Sequence, residues 1–289
     1  IEFIKKIKGL HIDGLGLSFV QTKSIINEVR KISSKLVLIS KLENTEGLRN
    51  SQDIINASDG IMIDRGDLAA EIGLTELYNA IEVISSKTKS CGKPLIMATE
   101  NLDSMINRQI PSKSDVMSIV HSISLGADCI MLSEETAIAE NSKQIMDWLN
   151  NFIKTLKPIK QNRISPVFEK KMPELWKLIK NLNNVPALLM TKSGYGLFNF
   201  LAMHPYADVF MLTSNRKMKN IAKLFANDIK VVETEIKDET PIEVIWEVIS
   251  KNKFLLFKNC EKIIAIYVSK YVKGARANSI TFFHKKDFF

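Results

Sequence analysis

Three short stretches set charged or hydroxyl side chains where an apolar run stops. In LVLISKLENTEG (36–47), Lys41 and Glu43 follow five apolar or small residues. Residues i and i+2 of a strand share a face, so these two side chains point the same way at a strand end. Two readings stand. One is an internal ion pair; the other is a carboxylate for a cation beside a lysine for an anionic group. In IMIDRGDLAAEIG (61–73), Asp67 follows Arg65-Gly66 and enters a helix. Gly66 permits close backbone approach, and free N–H groups at a helix start favour an anion. Asp67 offers only acceptors and suits a hard cation such as Mg²⁺. A capped helix start is the plainer alternative. Glu43 and Asp67 together can hold one Mg²⁺, with substrate and water at the remaining positions.

Two further stretches add polar groups. IMATENLDSM (96–105) ends its apolar run at Thr99, either an ordinary strand-end threonine or a hydroxyl over the same mouth. GADCIMLSEETA (126–137) offers Ser133 and Thr136 for phosphate oxygens, with Glu134-Glu135 equally readable as a solvated helix start.

These residues need elements to hold them. Strand candidates are LGLSFV (15–20), LVLIS (36–40), GIMID (60–64), PLIMAT (94–99) and CIMLS (129–133). Each is apolar on both faces, as in parallel strands covered by helices. Helical stretches between them are Lys23–Ser33, Thr45–Ala57, Glu76–Lys89, Ser114–Leu125 and Ser142–Lys154. Polar residues follow every consecutive strand, which is the barrel habit. An open sheet concentrates them at one switch point. The expected fold class is α/β: a partial TIM (β/α) barrel of about five βα units, then a smaller α/β C-terminal domain. The domains are expected at 1–157 and 158–289, with KPIKQNRISP (157–166) as linker. The second half offers a helix at Lys170–Asn181 and strands PALLMT (186–191), DVFMLT (208–213), KVVET (230–234), KIIAIYV (262–268) and SITFF (279–283). Helices Leu197–Met203, Arg216–Phe225 and Pro241–Lys251 fall between.

Composition sets limits. The 289 residues are 45% hydrophobic and 25% charged, ordinary for a globular chain. No apolar run approaches the ~18 residues of a membrane span, and no basic-aromatic stripe suggests nucleic acid. Cys91, Cys129 and Cys260 are odd in number and far apart, which fits a reducing cytoplasmic setting. Residues 1–150 carry 16 Lys+Arg against 20 Asp+Glu, and residues 151–289 carry 24 against 12. The first half suits cations. The second suits anions or an acidic partner, unless it reflects only a lysine-rich genome. The chain opens on Ile1, so a processed, excised or fragmentary chain is expected.

LISKLENTEGL resembles the signature of pyruvate kinase, and ASDGIMIDRGDLAAEI resembles that family's metal-binding strand. GKPLIMATENLDSMI and GADCIMLSEETA resemble the next two units, and LGLSFVQTKSIINEVRKI the one upstream. The order agrees over residues 10–150, and the second half resembles the family's C-terminal domain more faintly. The resemblance implies a TIM barrel with an inserted lid and a C-terminal α/β domain. It implies phosphoryl transfer from phosphoenolpyruvate to ADP, giving pyruvate and ATP in glycolysis, in a cytoplasmic homo-oligomer, commonly a tetramer. Mg²⁺ (or Mn²⁺) and K⁺ are the implied cofactors, with the K⁺ ligands outside this chain.

By the same resemblance Lys41 is the catalytic lysine, Glu43 and Asp67 are metal ligands, and Lys41, Gly66, Asp67 and Thr99 contact substrate. Thr191, Lys192, Ser193 and Gly194 correspond to part of an effector phosphate loop. The family's first three barrel strands and its lid are absent from the chain, so the chain alone is expected to be inactive. Asp64, Glu100 and Glu134 depart from the family pattern. They motivate a second reading, a non-catalytic pyruvate-kinase-like regulatory or interaction protein. A third is a Mg²⁺-dependent aldolase or lyase acting on pyruvate-like substrates.

Overall fold

A computed structural model describes residues 12–32, 34, 36–156, 175, 178, 179, 182, 185–192, 194–203, 208–225, 229–234, 241–267 and 279–289. The chain divides into two units, Ile1–Ser165 and Pro166–Phe289. The expected linker 157–166 and most of the expected helix 170–181 lie outside the described residues.

In the first unit, strands β1 (Gly14–Leu17), β2 (Val37–Leu42), β3 (Gly60–Asp64), β4 (Leu95–Ala98) and β5 (Cys129–Met131) form one sheet in the order β1-β2-β3-β4-β5. Every pairing is parallel. Sequential order with a helix after each strand is barrel connectivity; a doubly wound sheet reverses its order at a switch point. The intervening helices are α1 (Lys23–Ile32), α2 (Thr45–Arg49), α3 (Ser51–Ala57), α4 (Arg65–Ile72), α5 (Leu74–Ser90), α6 (Lys113–Ser124), α7 (Glu134–Ala137) and α8 (Ser142–Thr155). Strands β3 and β4 are buried at every residue. Ile26, Val29, Leu38, Ile54, Ile61, Ile63, Ile84 and Met97 pack the helices onto the sheet as one core.

The strand ends differ from the sequence reading for local reasons. β1 stops at Leu17 rather than Val20, because Phe19 turns into the left-handed region (φ 52°). β4 stops at Ala98 because Thr99 (φ 61°) and Glu100 (φ 51°) do the same. The single helix expected over 45–57 is two. Asn50 breaks it at φ −90° and ψ 11°, its amide donating to Gln21 O and to Glu46 Oε1 at 2.9 Å each. The turn at Arg65-Gly66-Asp67 opens a full helix, α4, which Gly73 (φ 81°) separates from α5.

The second unit has strands β6 (Ala187–Met190), β7 (Val209–Thr213), β8 (Lys230–Glu233), β9 (Lys262–Tyr267) and β10 (Ser279–His284). Their order is β10-β9-β6-β7-β8, parallel except for β10, which runs antiparallel to β9. Helices α9 (Tyr195–Met203), α10 (Arg216–Phe225) and α11 (Pro241–Leu256) complete it. Leu188, Phe210, Leu212, Ile249, Phe257, Ile263 and Ala265 form its core.

Candidate active site

The C-terminal ends of β2, β3 and β4 carry the charged group. Lys41, within β2, and Glu43, the residue just after its end, lie on one side and do pair: Nζ lies 2.7 Å from Glu43 Oε2. The ammonium also lies 3.1 Å from Asp64 Oδ2 at the end of β3. Burial by itself lowers a lysine's pKa, but pairing with Glu43 and Asp64 outweighs it, and Lys41 stands above its ordinary value. Glu43 is fully buried. Its Oε1 accepts the Phe19 N–H at 2.5 Å, which fixes the carboxylate against the left-handed turn after β1. Its Oε2 faces the Lys41 ammonium and has no other partner among the described residues.

Asp64 is the residue the sequence reading set aside as a departure. Its Oδ1 accepts from Thr99 Oγ1 at 3.1 Å and from the Asp67 N–H at 3.4 Å, so it caps α4. One carboxylate oxygen from each of Glu43, Asp64 and Asp67 lies within 4.8 Å of the others. Glu43 and Asp64 are buried, while Asp67 is exposed. Three carboxylates on rigid strand and helix ends form a donor set for a hard divalent cation. The fully buried Glu43 Oε2, with no partner besides Lys41 among the described residues, fits that use. Part of this was open to strand alternation: Asp64 stands two residues after Met62 and shares its face of β3. Only the pairing register, which sets Met62 beside Lys41 and Asp64 beside Ala98, shows that this face is the one carrying Lys41.

Gly66 opens this mouth. A Cβ there would meet Glu100 Oε1 and Thr99 Oγ1 at 3.7 Å and Asp64 Oδ1 at 3.9 Å, all ordinary contacts. The fold therefore does not require glycine, and its absent side chain leaves space lined by oxygen. The helix-start N–H groups are less available to an anion than expected. Gly66 N donates to Thr99 Oγ1 at 3.0 Å, and Asp67 N donates to Asp64. The Thr99 hydroxyl also lies 2.7 Å from Ala98 O.

Arg65 holds the far side. Its guanidinium donates to Thr99 O, to Glu100 O at 2.8 Å, to Asn101 Oδ1 at 2.9 Å and to Ser118 Oγ at 2.6 Å. Consecutive left-handed residues, one of them β-branched, are costly. Arg65 fixes them by taking up their carbonyls. Burial lowers its pKa, partly offset by Glu100, Asp103, Glu135 and Asp64. Of the Glu134-Glu135 pair, Glu134 is exposed at the start of α7, as a solvated helix start requires, and Glu135 is not. Glu135 is fully buried, accepting from Asn101 N (3.1 Å), Leu102 N (3.0 Å) and Ser133 N (2.6 Å). Ser133 N–H is thus occupied, and Thr136 Oγ1 donates to Ser133 O at 3.2 Å.

The structure therefore gathers Lys41, Glu43, Gly66, Asp67 and Thr99 at neighbouring strand ends and adds Asp64. A family profile described as "Pyruvate kinase, barrel domain" matches residues 3–144. That stretch contains all of these residues in the order of the barrel strands. The chain's first half belongs to the pyruvate kinase family. A "Pyruvate kinase" of Dictyostelium discoideum is 36% identical over 141 residues, covering 47% of this chain and 28% of that relative. A "Pyruvate kinase, cytosolic isozyme" of Nicotiana tabacum is 40% identical over 131 residues, covering 44% and 26%. A "Pyruvate kinase" of Thermococcus litoralis is 36% identical over 155 residues, covering 52% and 33%. The matched stretches thus span about a third or less of these pyruvate kinases.

The effector-loop candidates belong to the second unit. Thr191 is buried after β6, and its Oγ1 accepts the Gly194 N–H at 2.9 Å. Lys192 O accepts from Asn215 Nδ2 at 2.8 Å. Gly194 has φ 82°, and a Cβ there would lie 2.3 Å from Met218 Cε. Ser193 lies outside the described residues. Among the described residues no helix is long and apolar enough to cross a membrane.

Proposed function

We propose that residues 12–156 form one wall of a pyruvate kinase active site, for phosphoryl transfer from phosphoenolpyruvate to ADP giving pyruvate and ATP in glycolysis. The observation that carries this is the placing of Lys41, Glu43 and Asp67 together at consecutive strand ends within the family match. Lys41, held protonated by its carboxylate neighbours, supplies fixed positive charge to the oxygens of the transferring phosphoryl group, the main requirement of such a step. Glu43, anchored by Phe19 N–H, and Asp67, at the head of α4, are the ligands for Mg²⁺ or Mn²⁺. When bound, that cation supplies Lewis-acid stabilisation of the enolate oxygen. Gly66 leaves room for the substrate carboxylate and Thr99 orients it. The family's Mg²⁺ and K⁺ use, its phosphoenolpyruvate and ADP sites, its tetramer and a cytoplasmic location extend to this chain as part of the same proposal. So do a domain boundary near 157–158 and an effector-phosphate role for Thr191, Lys192, Ser193 and Gly194.

The five parallel strands among the described residues do not close an eight-stranded barrel, and the proposal assigns turnover to a closed barrel and none to the 289-residue chain by itself. Coupled assay of pyruvate formation tests both parts. In the completed barrel, Lys41→Met should lower kcat by several orders of magnitude, and Glu43→Gln and Asp67→Asn should weaken Mg²⁺ dependence. Wild-type rates in all three variants overturn the site. Turnover by the isolated chain overturns the claim that it is inactive. One observation favours the second reading, a non-catalytic family member: Asp64 engages Lys41 at 3.1 Å. Absence of phosphoenolpyruvate-dependent turnover in the completed wild-type barrel would decide for it.

A further inference from the structure

The sequence pattern that assigns Glu43 and Asp67 to the cation leaves Asp64 out. The geometry points to Asp64 as a third carboxylate of that site, one that tightens its hold on a divalent cation while no phosphorylated ligand is bound. This rests on the reading of Glu43 and Asp67 as cation ligands. Four observations carry it. Asp64 presents a carboxylate oxygen within the same 4.8 Å set as Glu43 and Asp67. Asp64 is only 5% exposed and Glu43 is 0% exposed, so neither charge is compensated by bulk water. The fully buried Glu43 Oε2 has the Lys41 ammonium at 2.7 Å and no other partner among the described residues. Buried charged acceptors are stable only when paired or coordinated, and one ammonium, that of Lys41, is shared here by two buried carboxylates. The space in front of Gly66 is bounded by Glu100 Oε1, Thr99 Oγ1 and Asp64 Oδ1, which are oxygens.

Charge then settles what the extra carboxylate does. Glu43, Asp67 and Lys41 together carry one net negative charge. A divalent cation turns that positive, and an anionic ligand completes the balance. With Asp64 the group carries two negative charges, and one divalent cation neutralises it without any anion. Asp64 also pairs with Lys41, so it competes with a phosphoryl group for the same ammonium. The protein's own carboxylate thus supplies negative charge that an anionic ligand would otherwise add.

The alternative is that Asp64 serves only as the cap of α4 and the acceptor for Thr99. Asp64→Asn separates the two roles, because asparagine accepts the same hydrogen bonds and caps a helix as well while removing the charge. The test is titration of the 289-residue chain with Mn²⁺, in phosphate-free buffer, with free Mn²⁺ read by electron paramagnetic resonance. The wild type should show one saturable site. Asp64→Asn should weaken it at least tenfold, the scale on which supporting carboxylates act on metal affinity. Inorganic phosphate should tighten Mn²⁺ binding in Asp64→Asn and leave the wild type unchanged. Asp64→Ser, also a good cap, should behave as Asp64→Asn and stands in for it if that variant does not fold. Unchanged affinity in folded Asp64→Asn or Asp64→Ser, while Glu43→Gln and Asp67→Asn lose the site, overturns the role of Asp64 and leaves the ligand reading intact. Absence of a saturable site in the wild type, or indifference to Glu43→Gln and Asp67→Asn, overturns the ligand reading and this inference with it.

Discussion

Replacing Lys41 by methionine removes a charge that two buried carboxylates share. The ammonium lies 2.7 Å from Glu43 and 3.1 Å from Asp64. At an effective dielectric of about 20 each contact has a gross Coulomb energy of about 5–6 kcal/mol. Desolvation of the three groups cancels most of that, so the useful figure is the cost of orphaning the partners, about 3–5 kcal/mol for a buried pair. The lysine side chain is 19% exposed, which admits some water and favours the lower end. We expect Lys41→Met to lose about 3 kcal/mol at pH 7, or about two orders of magnitude in the unfolding constant. For a unit of this size that is a fall of about 6–12 °C in Tm.

Urea and thermal unfolding followed by circular dichroism read both numbers. Two further signs accompany the loss. Added Mg²⁺ should restore part of the deficit, because a bound cation replaces the missing positive charge and binds only the folded state. The pH dependence has a definite direction. Lys41 is raised above 10.5 in the folded chain, so its contribution is complete below that pH and fades as pH climbs beyond it. The gap between wild type and Lys41→Met should therefore hold from pH 7 to 9 and narrow above about 10.5. A variant within about 0.5 kcal/mol of wild type at pH 7, and indifferent to Mg²⁺, would refute the assignment of Lys41 as counter-charge to buried carboxylates.

Two other perturbations follow from the same structure. Gly66→Ala should keep or raise stability, by up to about 1 kcal/mol, since alanine is the better helix residue and its Cβ meets nothing nearer than 3.7 Å. Gly47→Ala should lose about 1–3 kcal/mol, because its Cβ would press to 2.6 Å from the Val20 carbonyl oxygen; equal Tm shifts in the two variants would contradict this. Asp103 is pushed up to about 6 by burial first, then by Glu135, Glu100, Glu134 and Asp115. A raised carboxylate costs stability once ionised, so the penalty is absent near pH 4 and present above about pH 6. Asp103→Asn should gain at most about 1 kcal/mol at pH 7.5, after screening at a partly exposed site, and nothing at pH 4. The same gain at both pH values would count against it.

Strand–helix order, parallel pairing and family were all legible in the amino-acid sequence. Short runs apolar on both faces, each followed by polar residues, admit little else than parallel strands under helices. Strand periodicity also put Lys41 and Glu43 on one face, and they are found there. What periodicity could not supply is how one strand end faces the next. Asp64 looked like a misplaced acid before Arg65; only the register of β2, β3 and β4 sets it against Lys41 and within reach of Glu43 and Asp67. Glu135 looked like a surface acid, and only the fold buries it under three backbone N–H groups. Thr99 looked like the last residue of a strand, with Glu100 just after it. A guanidinium thirty-four residues upstream, as Arg65 bonds their carbonyls, holds them in the left-handed region instead. Local sequence sets which face a side chain takes; the partner that it meets is set by contacts between segments far apart in the chain, and the charge balance of this site depends on those partners.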